Sequence, residues 1–398
     1  MTLTTASAPL SPHPARVVVF GHNRNDTSLV RRAHMFINAG ASVTLFTFRR
    51  DGATVASSAE WQDVDLGHIE HKRFVSRMFM YLRTLPVLYR HRRELRDANV
   101  VYARNLDVYA LMRIALMIFA PERLSQGNRR RVYECIDIHH SLTQASLIAA
   151  SLRALERRVL TDAHLLVTSS EAFVRNYFKP VQRFDTPWIL IENKLPINGV
   201  PVSREPDGVA SFPFVLVWAG ILRCPSTLKL LIEAAKRLPE SLIVRICGRV
   251  SLFIIPDFHE RIAGISNIEF SGVYEYPTGL SEVYEGASAC WSQELGMLNG
   301  NSNWLIPNRV YEASMFSVPS IAVRGTETAR FVEERDLGIV LKDYRVETLV
   351  EFIETHNSES LSSLRAELFK RPRSDFVESY EDGQRLLYEC QTASRVLA

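Results

Sequence analysis

The sequence predicts an α/β protein made of two doubly wound parallel sheets, each clothed by helices. Three observations carry that expectation. At 398 residues, 46% of them hydrophobic, the chain is longer than one core organises and divides into domains of roughly 100–200 residues. Short Val-, Ile- and Leu-rich runs alternate with amphipathic stretches at intervals of about 30 residues, the period of a strand–helix–strand unit. A stretch dense in Pro and Gly and lacking periodicity, 197–213, splits that series in two and reads as a linker.

In chain order, residues 1–15, rich in Ser, Thr, Pro and Ala, are expected to form a disordered tail. Arg16–His22 reads as a buried strand entering a glycine turn, Ser28–Ala39 as a helix stopped by Gly40, and Val43–Phe48 as the next strand. Asn99–Ala103, Arg131–Asp137, Ala163–Ser169 and Trp188–Glu192 continue the strands of an N-terminal domain, 16–196. Beyond the linker, a second domain, 214–372, takes strands from Phe214–Gly220, Ser241–Gly248, Ile268–Gly272, Ala289–Ser292 and Pro319–Val323. Its helices run through Leu228–Arg237 and Arg309–Phe316. The terminal segment, 373–398, reads as helical, with Phe376, Tyr380, Leu387 and Tyr388 able to share one face. It needs a surface to cover and is expected to pack back toward the N-terminal domain.

Several function classes fall away. The five cysteines are scattered without a C-x-x-C pair, which excludes a disulfide scaffold, a zinc ribbon or a thioredoxin-like site and suits a reducing compartment. No apolar run is long enough to span a bilayer and the N-terminus lacks the features of a signal peptide, so the expected location is cytoplasmic. The glycine turn 21–28 does not fit G-x-G-x-x-G, and P-loop, G-x-S-x-G and H-E-x-x-H patterns are missing. Asp63-Val-Asp65, the one Asp-x-Asp, reads as loop carboxylates, and no metal site is expected.

Charge is unevenly shared. The net charge is +3, yet residues 1–200 hold 27 Lys and Arg against 17 Asp and Glu, and the remainder holds 20 against 27. The basic excess peaks in residues 71–96, where eight Lys and Arg meet one acid, Glu94, among Phe, Tyr, Met and Leu. Pro86 should divide this stretch into two short helices. Such a segment suits an anionic membrane surface. A solvated helical face is the plainer alternative, and no nucleic-acid-binding signature accompanies it.

Two doubly wound domains joined by one linker place a ligand in the cleft between their strand carboxyl ends. The segment Asn299-Gly-Asn-Ser-Asn-Trp-Leu-Ile-Pro-Asn-Arg-Val-Tyr-Glu feeds a polar loop into a helix through Pro307. Free backbone N–H groups and the helix dipole there make a phosphate seat. Glu312, one turn inside, can accept both hydroxyls of a ribose while Arg309 faces a diphosphate. Asn303 and Asn308 flank the same entry.

These residues resemble the P-N-[KR]-x-[FY]-E segment of GT-B glycosyltransferases, in particular bacterial enzymes similar to glycosyltransferase family 4, including the Pro seven residues beyond the Glu, here Pro319. Trp218-Ala-Gly-Ile-Leu-Arg is similar to the family's G-x-[LI]-R element, which makes Arg223 a diphosphate ligand. Arg131–His140 resembles the first-domain strand that delivers an Asp or His to the reacting sugar, and Leu155–Ser170 with Leu190–Lys194 is similar to the family's path into the linker. Sugar-adding enzymes of succinoglycan-type exopolysaccharide assembly on a lipid carrier are the nearest comparison. Two positions depart from the pattern: Trp304 stands where the family usually carries a second Glu, and the lysine expected soon after Arg223 is not met before Lys229.

The resemblance implies a GT-B fold and transfer of a sugar from a nucleotide diphosphate, a UDP-sugar, to a lipid-linked or polysaccharide-precursor acceptor. The protein would then work as a peripheral protein at the inner face of the membrane, with residues 71–96 on the bilayer. Arg223, Arg309 and helix N–H groups would take up the leaving charge without metal or other cofactor. Asp137 and His139, just past a strand's carboxyl end, are the candidates for an acceptor-activating base. Arg104 and Asn105 are candidates on the acceptor side, and Asn193 and Lys194 lie at the cleft edge. Glu134, inside its strand, reads as structural. A nonhydrolysing nucleotide-sugar epimerase and a catalytically silent nucleotide- or glycan-binding scaffold remain as rival readings.

Overall fold

The structure, a computed structural model, describes residues 14–49, 60–68, 74–124, 128–203, 205, 212–294 and 301–393. The first sheet is parallel and contains β1 (Arg16–Gly21), β2 (Ser42–Arg49), β3 (Gln62–His68), β4 (Val100–Arg104), β5 (Arg130–Cys135), β6 (Leu165–Thr168) and β7 (Trp188–Leu190), ordered β3-β2-β1-β4-β5-β6-β7. The second, also parallel, contains β8 (Phe214–Leu222), β9 (Leu242–Val250), β10 (Ile268–Gly272), β11 (Ala289–Trp291), β12 (Ser320–Val323) and β13 (Gly338–Leu341), ordered β10-β9-β8-β11-β12-β13. Strand order reverses at β1/β4 and at β8/β11, so each sheet opens a crevice at the carboxyl end of its switch point. The two-sheet α/β architecture is the one expected.

Strands buried on both faces are continuously apolar, and Val17, Val18, Val19 and Phe20 of β1 pack into cores on both sides of the first sheet. The expected tail falls largely on residues 1–13, outside the described residues, as do 204 and 206–211 of the expected linker. All five cysteines are free and buried. Among the described residues, no helix is long and apolar enough to cross a membrane.

Three expectations are corrected. Asp63 and Asp65 do not sit in a loop. They flank Val64 in edge strand β3, where only Val64 and Leu66 are buried, Asp63 pairs with Arg24 at 3.2 Å and Asp65 with Arg49 at 2.7 Å. Pro86 does not split its helix, which runs unbroken through Phe74–Arg90. The lost hydrogen bond and ring clash cost about 3 kcal/mol, offset by seating Leu85 and Leu88 against the core, while the Thr84 hydroxyl donates to the Tyr81 carbonyl at 2.7 Å.

The terminal helix, Tyr380–Thr392, does return to the N-terminal domain, on a different face from the aromatic one expected. It buries Gly383, Leu386, Leu387 and Cys390, while Tyr380 and Tyr388 are exposed and Phe376 is buried ahead of it. A Cβ on Gly383 would lie 2.6 Å from the Met35 carbonyl oxygen of the first helix, Thr27–Asn38. Close crossing therefore selects the small residue. Nearby, the two chain passages between the domains are tied together: the Leu195 amide donates to the Phe376 carbonyl at 2.8 Å, and the Glu378 amide to the Leu195 carbonyl at 2.9 Å.

Candidate active site

The carboxyl edges of the sheets meet around 301–312. The Ser170 hydroxyl, just past β6, donates to the Trp304 carbonyl, Asn193 donates to the Ile306 carbonyl at 3.4 Å, and Trp304 and Leu305 pack on the first domain's core. This clamp aims the helix Asn308–Met315, capped by Pro307, at the interdomain space.

Glu312 lies one turn along that helix, 5% exposed, with the Tyr284 hydroxyl 3.4 Å from its Oε2. Burial pushes its carboxyl up to about 7, although Arg309, Tyr284 and Arg31 pull it down. Burial works against the charge on Arg309, but Glu294, 3.3 Å from its Nη2, together with Cys290, Tyr284 and Glu312, outweighs this and holds it protonated. Arg309 Nη1 is buried and has no hydrogen-bond partner among the described residues. An unpaired guanidinium N–H in a buried site is costly unless an anion completes it. Asn308 is half-buried at the helix start, Asn303 closes the turn Asn301–Asn303, and Arg223 is exposed one residue past β8. Gly220 and Gly248 face each other across β8 and β9. A Cβ on Gly248, at φ +132°, would lie 1.9 Å from the Gly220 carbonyl oxygen, so bare backbone forms this part of the crevice.

On the first domain, Asp137 and His139 lie exposed past β5. The Nδ1 of His139 takes the Ser141 hydroxyl at 2.7 Å and the Ser141 amide at 3.3 Å, capping a short helix. Arg104 is buried and committed: Nε to Glu134 at 2.7 Å, Nη1 near Asp26 at 3.6 Å, Nη2 to the Ser28 hydroxyl at 2.9 Å. Glu134 also pairs with Arg32 at 2.6 Å, which fits its structural reading. Asn105 adopts φ +71° and its amide donates to the Glu134 carbonyl at 2.9 Å. The structure thus sets Asn308, Arg309 and Glu312 on one helix with Asn303 in the turn ahead of it, and Arg104, Asn105, Asp137 and His139 at and past the carboxyl ends of β4 and β5.

No family model matches the chain. It is 33% identical over 342 residues to the succinoglycan biosynthesis protein ExoL of Rhizobium meliloti (strain 1021), covering 84% of this chain and 83% of that protein. The chain belongs to the ExoL family. Solved structures agree on its fold: HepE from Anabaena, in complex with UDP and glucose, superposes with a TM-score of 0.64 over 94% of this chain and 98% of its own at 13% identity. Sucrose-phosphate synthase from Thermosynechococcus elongatus gives 0.71 over 94% and 98% at 12% identity. WaaG, a glycosyltransferase involved in lipopolysaccharide biosynthesis, gives 0.63 over 95% and 100% at 11% identity. The expected GT-B fold is met, and so is the expected kinship with succinoglycan-type exopolysaccharide biosynthesis.

This ExoL-family chain also carries site residues that the sequence did not single out. Arg31, from the first helix, donates to the Lys194 carbonyl at 2.5 Å and pairs with Glu378 at 3.1 Å, close enough to Glu312 to act on its carboxyl. Glu294 follows β11, and Tyr274 and Tyr276 follow β10, with phenols pushed up by burial and by Glu312. A cavity of about 400 Å³ adjoins the clamp, lined by Arg175, Asn303, Trp304, Arg324, Thr326 and Arg330 among others. Another, of about 360 Å³, lies at the domain junction beside Glu192, Lys194, Arg335, Glu378 and Asp382. Neither of these two cavities is lined by Arg309 or Glu312.

Proposed function

We propose that this ExoL-family protein transfers a sugar from a UDP-sugar to a lipid-linked saccharide precursor at the inner face of the membrane. The observation that carries the donor half is the pairing on one helix of buried Glu312 with Arg309, whose Nη1 awaits an anion. A carboxylate there accepts ribose hydroxyls, and the guanidinium, with Asn308 and the helix amides, takes the diphosphate. HepE, solved with UDP and glucose, and the succinoglycan role of ExoL support the choice of donor and pathway class. Arg309 and Arg223 supply the positive charge for the departing diphosphate, so turnover is expected to persist in excess chelator.

The acceptor half rests on charge and exposure. Arg83, Arg90 and Arg93 are exposed on the described part of the basic segment, with exposed Leu82 and Tyr89 and, on the helix Leu106–Phe119 packed beside it, Ile114, Met117 and Ile118. Residues 71–73 of that segment lie outside the described residues.

Titration calorimetry with UDP and a panel of UDP-sugars tests the donor half. Saturable binding to the wild type, weakened at least tenfold in Glu312→Ala and in Arg309→Ala, is expected. Equal affinity in all three proteins, or no binding to any of them, would refute it.

A further inference from the structure

The long helix between β5 and β6, Leu147–Val159, turns an apolar face outward. Its start is firmly held: the Ser146 hydroxyl accepts the Ala149 amide at 3.1 Å, and Arg153 donates to the Leu142 carbonyl at 2.9 Å and the Gln144 carbonyl at 3.0 Å in the stretch ahead. Ala149 and Glu156 are buried on the inner side. Positions 147, 151, 154, 155 and 158 share the outer side at helical spacing, and Leu, Ser, Ala, Leu and Arg occupy them. Leu147 is 89% exposed, Ile148 beside it 75% and Leu155 50%. A fixed apolar face on a folded domain marks a contact surface. The patch also has a neighbour. Arg113, on the helix Leu106–Phe119, donates to the Arg158 carbonyl at 3.1 Å, so the two helices lie side by side over the same core, and exposed Ile114, Met117 and Ile118 continue the apolar surface.

The charges around this patch select its partner. Between Ser141 and Thr161 the one acidic residue is Glu156, which is buried and accepts the Tyr177 hydroxyl. Arg157 and Arg158 are exposed. Arg157 Nη2 donates to the Val181 carbonyl at 3.2 Å, which brings exposed Lys179 and Arg183 to the same rim. Apolar side chains edged by cations, on a helix with no exposed carboxylate, fit an anionic phospholipid surface. We propose that the helix Leu147–Val159 lies on an anionic bilayer, with Leu147 and Ile148 at the boundary between headgroups and acyl chains. This rests on the membrane reading given under the proposed function and extends the contact to the lip of the cleft. The helix begins a few residues past Asp137 and His139, at the carboxyl end of β5, so a saccharide acceptor reaches the interdomain space while its lipid stays in the bilayer.

The test uses the full-length protein with vesicles of phosphatidylglycerol and phosphatidylcholine. All five native cysteines are buried, so Ile148→Cys directs a thiol-reactive, polarity-sensitive dye to this turn. Lys236→Cys, exposed on the helix Pro225–Arg237 of the second domain, directs the dye elsewhere. On adding vesicles, the dye at 148 is expected to shift to the blue and to be quenched by nitroxides carried on the acyl chains, and the dye at 236 to do neither. Leu147→Ser/Ile148→Ser should weaken sedimentation with these vesicles about fivefold or more, while its melting temperature and UDP-sugar affinity stay those of the wild type. Protein that sediments while the dye at 148 stays in water, or a double variant that sediments like the wild type, would overturn this contact and leave the rest of the membrane reading in place. Wild-type protein that does not sediment would overturn both, and UDP-sugar binding, measured separately, tells either failure apart from failure of the donor site.

Discussion

In the proposed function donor binding turns on Glu312, and the burial of this residue has a cost that can be measured. A carboxyl raised to about 7 is largely protonated at pH 6 and largely ionised at pH 8. Only the ionised form accepts from both ribose hydroxyls. Affinity for UDP-glucose, whose diphosphate does not titrate in this interval, should therefore strengthen about tenfold from pH 6 to pH 8, and Glu312→Gln should bind weakly with a flat profile. Calorimetry across the interval checks both; a flat wild-type profile would mean that the carboxyl is not the ribose ligand. Glu312 and Arg309 were legible because a polar loop entering a helix leaves a local signature. Arg31 and Glu294 were not, because each reaches its partner through the fold: Arg31 meets Glu378 from a helix near the start of the chain, and Glu294 meets Arg309 from the stretch after β11.

At the scale of elements, continuous apolar strands were readable, and so was the edge strand β10, whereas the edge strands β3 and β13 were not. β3 alternates Asp63 and Asp65 with its buried Val64 and Leu66, and β13, Gly338-Ile-Val-Leu, is largely half-buried. Pro86 misleads for another reason: local cost does not decide a helix whose far side is seated on a core. The terminal helix shows the same rule through packing. Gly383→Ala gains roughly 1 kcal/mol of helix propensity but sets a methyl against the backbone oxygen of Met35 at 2.6 Å, an overpacking that costs about 1–3 kcal/mol. The net expectation is a lower melting temperature by a few degrees, whereas Gln384→Ala, at an exposed neighbouring site, should not destabilise. A more stable Gly383→Ala protein would show that the two helices can separate without loss.

For the molecule as a whole, the two-domain plan was legible from the repeated strand spacing, while the way the halves meet depends on contacts that no local pattern encodes, such as Ser170 with Trp304 and Arg31 with Glu378. Charge, by contrast, is additive and readable at this scale, and it leads to a prediction about where the protein works. Arg90 and Arg93 are exposed near Tyr89, whose ring lies 5.9 Å from that of Phe119, and Met117 and Ile118 immediately before Phe119 are exposed. Apolar side chains enter the headgroup region while each nearby Arg adds about 1 kcal/mol on an anionic surface. Sedimentation should carry the wild type down with phosphatidylglycerol-containing vesicles, less so at 0.5 M salt because screening shortens the reach of those charges, and scarcely with phosphatidylcholine alone. Arg90→Glu/Arg93→Glu should reduce binding more than tenfold, and Met117→Glu/Ile118→Glu should reduce it at low salt as well as high, since insertion and not attraction is lost. Equal sedimentation with neutral vesicles, or wild-type binding in both double variants, would move the membrane contact to another face and separate the basic segment from the acceptor.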